Sequence, residues 1–257
     1  MTPRPRRRLR RGIYVLPSLL TTGNLFAGYY SIVSALHGEF RSAAIALGIA
    51  FVLDGLDGRI ARLTNTQSEF GKVYDSLADV LTFGAAPAVL LLSWGLWDLG
   101  RVGWLTSFFF LVCAAIRLAR FGVNDGKTDL RFFVGLPTPA AACMFAALAF
   151  YNPQVVGSLT MRRVLLGSVV LIALLMVSKI RYRSFKDFDL QRRQPYTAIV
   201  VLAAVIYLIA LDPERVLLMI AIAYVVSGPI ERLVARISSA RSKTPASAGA
   251  NSRQDRL

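Results

Sequence analysis

About eight apolar stretches run along this chain, separated by short polar segments. They cover approximately Leu19–Leu36, Phe40–Ala61, Val73–Trp94, Val102–Phe121, Pro137–Tyr151, Val164–Ser178, Ala198–Leu211 and Val216–Ile230. A helix needs roughly 20 mostly apolar residues to cross the hydrocarbon core of a bilayer. Each stretch therefore reads as a spanning helix, with the fifth, sixth and seventh short enough to draw on flanking residues. Irregular backbone is not exposed to lipid, because its polar groups would go unpaired there. The pattern predicts an all-α integral membrane protein, a single bundle of about eight transmembrane helices.

The polar segments divide by charge. One set holds Arg4, Arg6, Arg7, Arg8, Arg10 and Arg11, then Arg59, Arg62 and Lys72, then Lys127 and Arg131. It continues with Lys179, Arg181, Arg183, Lys186, Arg192 and Arg193, and ends in the C-terminal tail. The other set holds His37, Glu39 and Arg41, Asp98 and Arg101, Arg162 and Arg163, and Asp212 to Arg215. Lys and Arg collect on the cytoplasmic side, so the first set and both termini are expected there, with Arg162 and Arg163 a mild departure. Trp94, Trp97 and Trp104 cluster around one external turn, as an interfacial aromatic belt would. The leading arginines resemble a signal peptide only superficially: Pro17, Gly23 and Asn24 interrupt the apolar segment and no small-residue cleavage site is evident. The expected divisions are a basic segment at 1–16, a transmembrane domain at 17–236 and a disordered tail at 237–257. Within the first, Arg8–Leu16 mixes arginines with Ile13, Tyr14, Val15 and Leu16 and is expected to lie on an anionic lipid surface. The tail is rich in Ser, Ala and Arg and has few large apolar residues.

Composition narrows the class. The net charge is +15, from 30 Lys and Arg against 15 Asp and Glu, in a chain that is 55% hydrophobic. Charge alone would admit a nucleic-acid binder; the apolar stretches favour a membrane protein whose arginine-rich start sets orientation and grips anionic lipid, with no nucleic-acid partner. The only histidine is His37, and the two cysteines, Cys113 and Cys143, fall inside apolar stretches as free, buried thiols. A soft-ligand zinc or copper site is thereby disfavoured.

The chemistry concentrates in Asp54, Asp57, Gly58, Ala61 and Arg62, followed by Gly71, Asp75 and Asp79. Carboxylates are costly near hydrocarbon, and a lone one at a helix end would simply face water. Four at this spacing do more. Asp54 and Asp57 are three apart and share a helical face with Gly58 and Ala61; Asp75 and Asp79 are four apart and share a face on the next segment. Two helices can aim all four at one point. Such hard oxygen donors suit Mg²⁺ or Mn²⁺, and one or two divalent ions would offset their mutual repulsion and create a pyrophosphate site. Gly55, Gly58, Gly71 and Ala61 remove bulk where a charged ligand approaches the backbone. The geometry suggests metal-assisted phosphoryl transfer at a membrane surface.

Asp54-x-x-Asp57-Gly58-x-x-Ala61-Arg62, eight residues, Gly71, three residues, Asp75, three residues, Asp79 carries every fixed position of the signature of the CDP-alcohol phosphatidyltransferases, and the chain resembles that family. The resemblance implies that Asp54, Asp57 and Asp75 hold the metals. Asp79 would be a further ligand or the general base, and Gly58, Ala61, Arg62 and Gly71 would lie against the CDP group. The flanks narrow the substrate. Pro17 to Gly28, Leu63 to Gly71, Phe83 to Pro87, Arg117 to Phe121 and Gly135 to Pro139 resemble the membrane-embedded bacterial phosphatidylserine synthases, over roughly residues 12–190. Such proteins usually carry Asn after the proline of the first span, where this chain has Ser18.

The implied reaction displaces CMP from CDP-diacylglycerol by the hydroxyl of L-serine, on the cytoplasmic face of a bacterial inner membrane. A homodimer is expected from the same resemblance. Asn24, Arg117 and Arg120 are candidate substrate contacts: Arg pairs planar anions bidentately, whether lipid phosphate or serine carboxylate, the plain alternative being flanking charge. Glycerol phosphate or inositol phosphate remain alternative acceptors under the same signature. A divalent-cation transporter is a rival of another class, disfavoured because coupling sites lie near the bilayer midplane and these aspartates lie near helix ends.

Overall fold

The computed structural model describes residues 8–64, 68–123, 132–183 and 195–242. Eight helices account for most of them: α1 (Arg8–Leu36), α2 (Phe40–Leu63), α3 (Glu69–Leu99), α4 (Arg101–Val123), α5 (Thr138–Tyr151), α6 (Leu159–Val177), α7 (Pro195–Leu211) and α8 (Pro213–Ser242). Each predicted apolar stretch falls within one of them, apart from single residues at the ends of the fifth and sixth. By length and composition, four are apolar enough to cross a membrane among the described residues: α3, Arg101–Arg120 of α4, α6 and Pro213–Arg232 of α8. α5 is apolar but shorter, 14 residues. At 1.5 Å per residue it reaches only about 21 Å.

Several details depart from the expectation. Arg8–Leu16 continues into the first span as one helix with Pro17 inside it, so no break separates an interfacial segment from α1. α8 runs to Ser242, past the start expected for the tail, and residues 243–257 lie outside the described residues. So do Lys127, Arg131, Lys186, Arg192 and Arg193. A two-stranded antiparallel ribbon breaks the all-helical rule: β1 (Phe132–Val134) pairs with β2 (Arg181–Arg183), Phe133 opposite Tyr182. Tyr182 is fully buried, and its hydroxyl donates to the Val225 carbonyl at 3.3 Å. The ring rests on Gly228 so closely that a Cβ there would overlap it. The ribbon is thus pinned to α8.

α3 carries the chain's most irregular helical geometry. Ser68 caps its start, accepting from the Gly71 N–H at 3.0 Å. The helix widens into π turns at Val80–Ala85 and again at Leu92–Leu96. Pro87 gives a reason for the first: it has no N–H, and in a regular helix its ring would strike the Phe83 carbonyl. Widened turns of this kind often flank functional residues, and this one begins directly after Asp79.

The core is built around α2, α3, α4, α5 and α6, with Leu47, Leu90, Phe110, Phe145 and Met176 among its fully buried side chains. Trp94 belongs to it, correcting the aromatic-belt expectation. It is 3% exposed, and its indole N–H lies 3.0 Å from the Asn152 carbonyl and 2.7 Å from that of Gln154. Trp97 and Trp104 remain exposed. The departure at Arg162 also has an explanation. It pairs with Asp98 at 2.6 Å and donates to the Val156 carbonyl. At the same end of the bundle Arg41 pairs with Glu214 at 2.8 Å and lies over the Phe150 ring.

Candidate active site

Three helices meet at the acidic cluster. α2 delivers Asp54 and Asp57 from its last turns, and α3 delivers Asp75 and Asp79 from its first turns. α1 crosses both, its closest approach to α3 allowed by Gly28. A Cβ at Gly28 would come within 2.5 Å of Thr82 Oγ1 and 2.8 Å of Thr82 Cα. Thr82 donates back across this contact to the Asn24 carbonyl at 3.3 Å.

The four carboxylates are not equivalent. Asp54, Asp57 and Asp75 each offer an oxygen within 4.8 Å of the other two. Asp79 stands one turn further along α3, its side chain beside that of Asp54 and accepting from Asn24 Nδ2 at 3.4 Å. Asp57 is 4% exposed, and Thr21 Oγ1 donates to its Oδ2 at 3.0 Å.

The donor set fits a hard divalent cation. All three triad ligands are carboxylate oxygens, and Asp75 Oδ1 is buried without a partner. Buried polar atoms are rarely left unpaired, and an unpartnered oxygen on one member of the triad is an atom that a hard cation held there would satisfy. Beside the triad, Gly55 and Gly58 leave bare helix surface: nothing lies within 4 Å of where either Cβ would stand. A bulky anion can reach the backbone there.

Of the remaining predicted residues, Ala61 is half-buried one turn beyond Asp57, and the side chain of Arg62 lies outside the described residues. Gly71 serves the N-terminal cap of α3. Asn24 is fully buried. Arg117 and Arg120, three apart on α4, separate sharply. Arg117 is buried, its Nη1 donating to Thr138 Oγ1 at 2.9 Å. Arg120 is exposed and donates to the Val177 carbonyl at 3.1 Å, tying α4 to the end of α6. Thr21 and Thr138 are the residues that sequence reasoning did not single out. Thr21 precedes Asn24 by three, and that spacing on one helical face was the available signal.

A sequence model of the CDP-alcohol phosphatidyltransferase family matches residues 14–178, well over half of the chain and all of the acidic site. The chain belongs to that family. It is 40% identical over 177 residues to the CDP-diacylglycerol–serine O-phosphatidyltransferase of Helicobacter pylori strain J99, covering 68% of this chain and 74% of that relative. The Bacillus subtilis protein of the same name is 35% identical over 172 residues, 66% of this chain and 91% of its own length. The archaetidylserine synthase of Methanothermobacter thermautotrophicus is 35% identical over 169 residues, 65% and 69% of the two chains. The matched region contains the acidic triad, the bare glycine surface and Asp79.

Proposed function

We propose that this enzyme transfers the phosphatidyl group from CDP-diacylglycerol to L-serine and releases CMP. The observation that carries the reading is the triad of Asp54, Asp57 and Asp75 gathered within 4.8 Å with Asp79 one turn beyond, in a chain whose bacterial relatives are named for that reaction. Asp54, Asp57 and Asp75 would hold one or two Mg²⁺ or Mn²⁺ ions, whose charge would neutralise the pyrophosphate and stabilise the departing CMP. Gly55 and Gly58 present open backbone to the nucleotide, and Ala61, one turn on, keeps that helix face small. Asp79 accepts the proton of the serine hydroxyl. The freed oxygen bonds to the phosphorus that carries diacylglycerol, and the bond from that phosphorus to the CMP oxygen breaks. Thr21 holds Asp57 in its orientation, and Asn24 does the same for Asp79.

The placement in the membrane follows the charges. α2 carries Arg41, Asp54, Asp57, Arg59 and Arg62, so the site itself lowers its apolar character. We infer that all eight helices span, with both termini and the acidic cluster on the cytoplasmic side of a bacterial inner membrane. The support is the excess of Lys and Arg in segments at that end. At the opposite end Arg41 and Arg162 are paired with acids. Basic residues flanking the site would contact anionic lipid heads, and a homodimer is the expected assembly.

The test is CMP release by detergent-purified protein given CDP-diacylglycerol and Mn²⁺ or Mg²⁺, with serine, glycerol 3-phosphate and inositol phosphate offered separately. Release only with serine and metal supports the proposal. Release with a phosphorylated alcohol alone keeps the chemistry and overturns the acceptor.

A further inference from the structure

Four buried side-chain atoms among the described residues have no hydrogen-bond partner: Asn24 Oδ1, Ser31 Oγ, Asp75 Oδ1 and Arg117 Nε. Three of the four border the acidic cluster. Asp75 Oδ1 belongs to the triad itself. The other two have opposite character, one an acceptor and one a cationic donor: Asn24 touches Asp79, and Arg117 stands on the neighbouring helix α4.

Asn24 is fixed in sense. Its Nδ2 donates to Asp79 Oδ1 at 3.4 Å, and its own Oδ1 is buried without a partner. Arg117 reaches the same place from α4. Gly84 of α3 packs on Leu111 and Ala114 of α4: a Cβ there would stand 3.0 Å from Leu111 Cδ1 and 3.5 Å from Ala114 Cβ. Asp79 lies five residues before Gly84, one widened turn down α3, and Arg117 lies three residues after Ala114, one turn down α4. The two helices run antiparallel, so both steps lead toward the acidic cluster. Arg117 is accordingly within electrostatic range of Tyr224 on α8 and of Asp79. None of the ion pairs among the described residues involves it. Thr138 Oγ1 holds Nη1 and leaves Nε unsatisfied. A buried guanidinium with an open edge is costly unless an anion completes it.

We propose that Arg117 and Asn24 are the specificity determinants for a zwitterionic amino-acid acceptor. The Arg117 edge takes its carboxylate, Asn24 Oδ1 takes its ammonium, and Asp79 between them receives its hydroxyl. This rests on the serine reading above and deepens it. An alcohol carrying a phosphate and no ammonium would leave Asn24 Oδ1 unpaired, a loss that discriminates strongly in buried sites.

The experiment is steady-state CMP release by the full-length protein with Mn²⁺ and CDP-diacylglycerol in detergent micelles. Ethanolamine, which lacks the carboxylate, and 3-hydroxypropionate, which lacks the ammonium, serve as competitors of serine. Arg117→Lys keeps the charge and loses the planar fork. It is expected to raise the serine KM at least tenfold and weaken 3-hydroxypropionate equally, leaving ethanolamine inhibition and the CDP-diacylglycerol KM within twofold. Asn24→Ser is expected to weaken serine and ethanolamine and spare 3-hydroxypropionate. Thr138→Val, which frees the Arg117 fork, should reproduce the Arg117 pattern more weakly, and Mn²⁺ half-saturation should hold in all three. A variant that merely loosens the bundle would weaken both competitors alike. That result, or a wild-type enzyme insensitive to both competitors, overturns this inference while serine-dependent release still stands. Absence of serine-dependent release in the wild type overturns the serine reading and this inference together.

Discussion

Thr21→Val removes one hydroxyl and nothing else of consequence. The valine has the same shape, so α1 packs as before, and the loss is the hydroxyl shared between Asp57 Oδ2 at 3.0 Å and the Pro17 carbonyl at 3.1 Å. Both partners are nearly inaccessible, Thr21 at 5% exposure and Asp57 at 4%, so water cannot replace the donor. A hydrogen bond to a charged group contributes about 1.5–3 kcal/mol. At 1.4 kcal/mol per factor of ten, that is roughly 10- to 100-fold, the usual effect of deleting a group that orients a metal ligand. The expected outcome is a rise of that size in the Mn²⁺ concentration for half-maximal CMP release. Direct Mn²⁺ binding to the substrate-free protein, followed by electron paramagnetic resonance, should weaken in parallel. Thr21→Ser retains the donor and should stay within a few-fold of wild type. If Thr21→Val binds Mn²⁺ as tightly as wild type while folded, the hydroxyl does not orient Asp57, and the assignment of Asp57 to the metal set loses its structural support.

Three further outcomes are expected. Asp79→Asn should abolish CMP release while leaving the thermal unfolding of the purified protein near that of wild type; near-normal turnover would remove Asp79 as the base. Gly28→Val should lower the unfolding temperature in detergent. Its side chain overlaps Thr82 backbone that cannot move away, and overpacking of this kind costs about 1–3 kcal/mol; an unchanged Tm would show that α1 and α3 can separate freely. Tyr182→Ala should cost about 3–5 kcal/mol by emptying a fully buried site against α8. It is read as lower Tm and faster proteolysis near the 132–134 and 181–183 ribbon, and unchanged protection there would refute the pinning role.

The sequence alone determined the helices and the chemistry. Apolar stretches long enough to cross a bilayer can do little else, so the eight helices were legible from hydropathy, although α1 begins at Arg8 and α8 ends at Ser242, both well outside their apolar stretches; so was the continuation of Gly58 and Ala61 on the face of Asp54 and Asp57. Residue type likewise makes the site one suited to hard cations, because four carboxylates stand in the signature without histidine or thiol. What the sequence could not supply was distance between elements far apart in the chain. Arg117 and Arg120 look alike as two arginines on one helix end. Only packing shows that one is buried against Thr138 while the other braces Val177. Trp94 reads as an interfacial residue until the 152–154 carbonyls are seen to close over its indole. Thr21 and Asn24 acquire meaning only when α1 crosses two helices that begin 16 or more residues later. The division has one physical cause: a helix and its faces are set by neighbours three or four residues apart, whereas an active site is set by which faces the tertiary packing brings together.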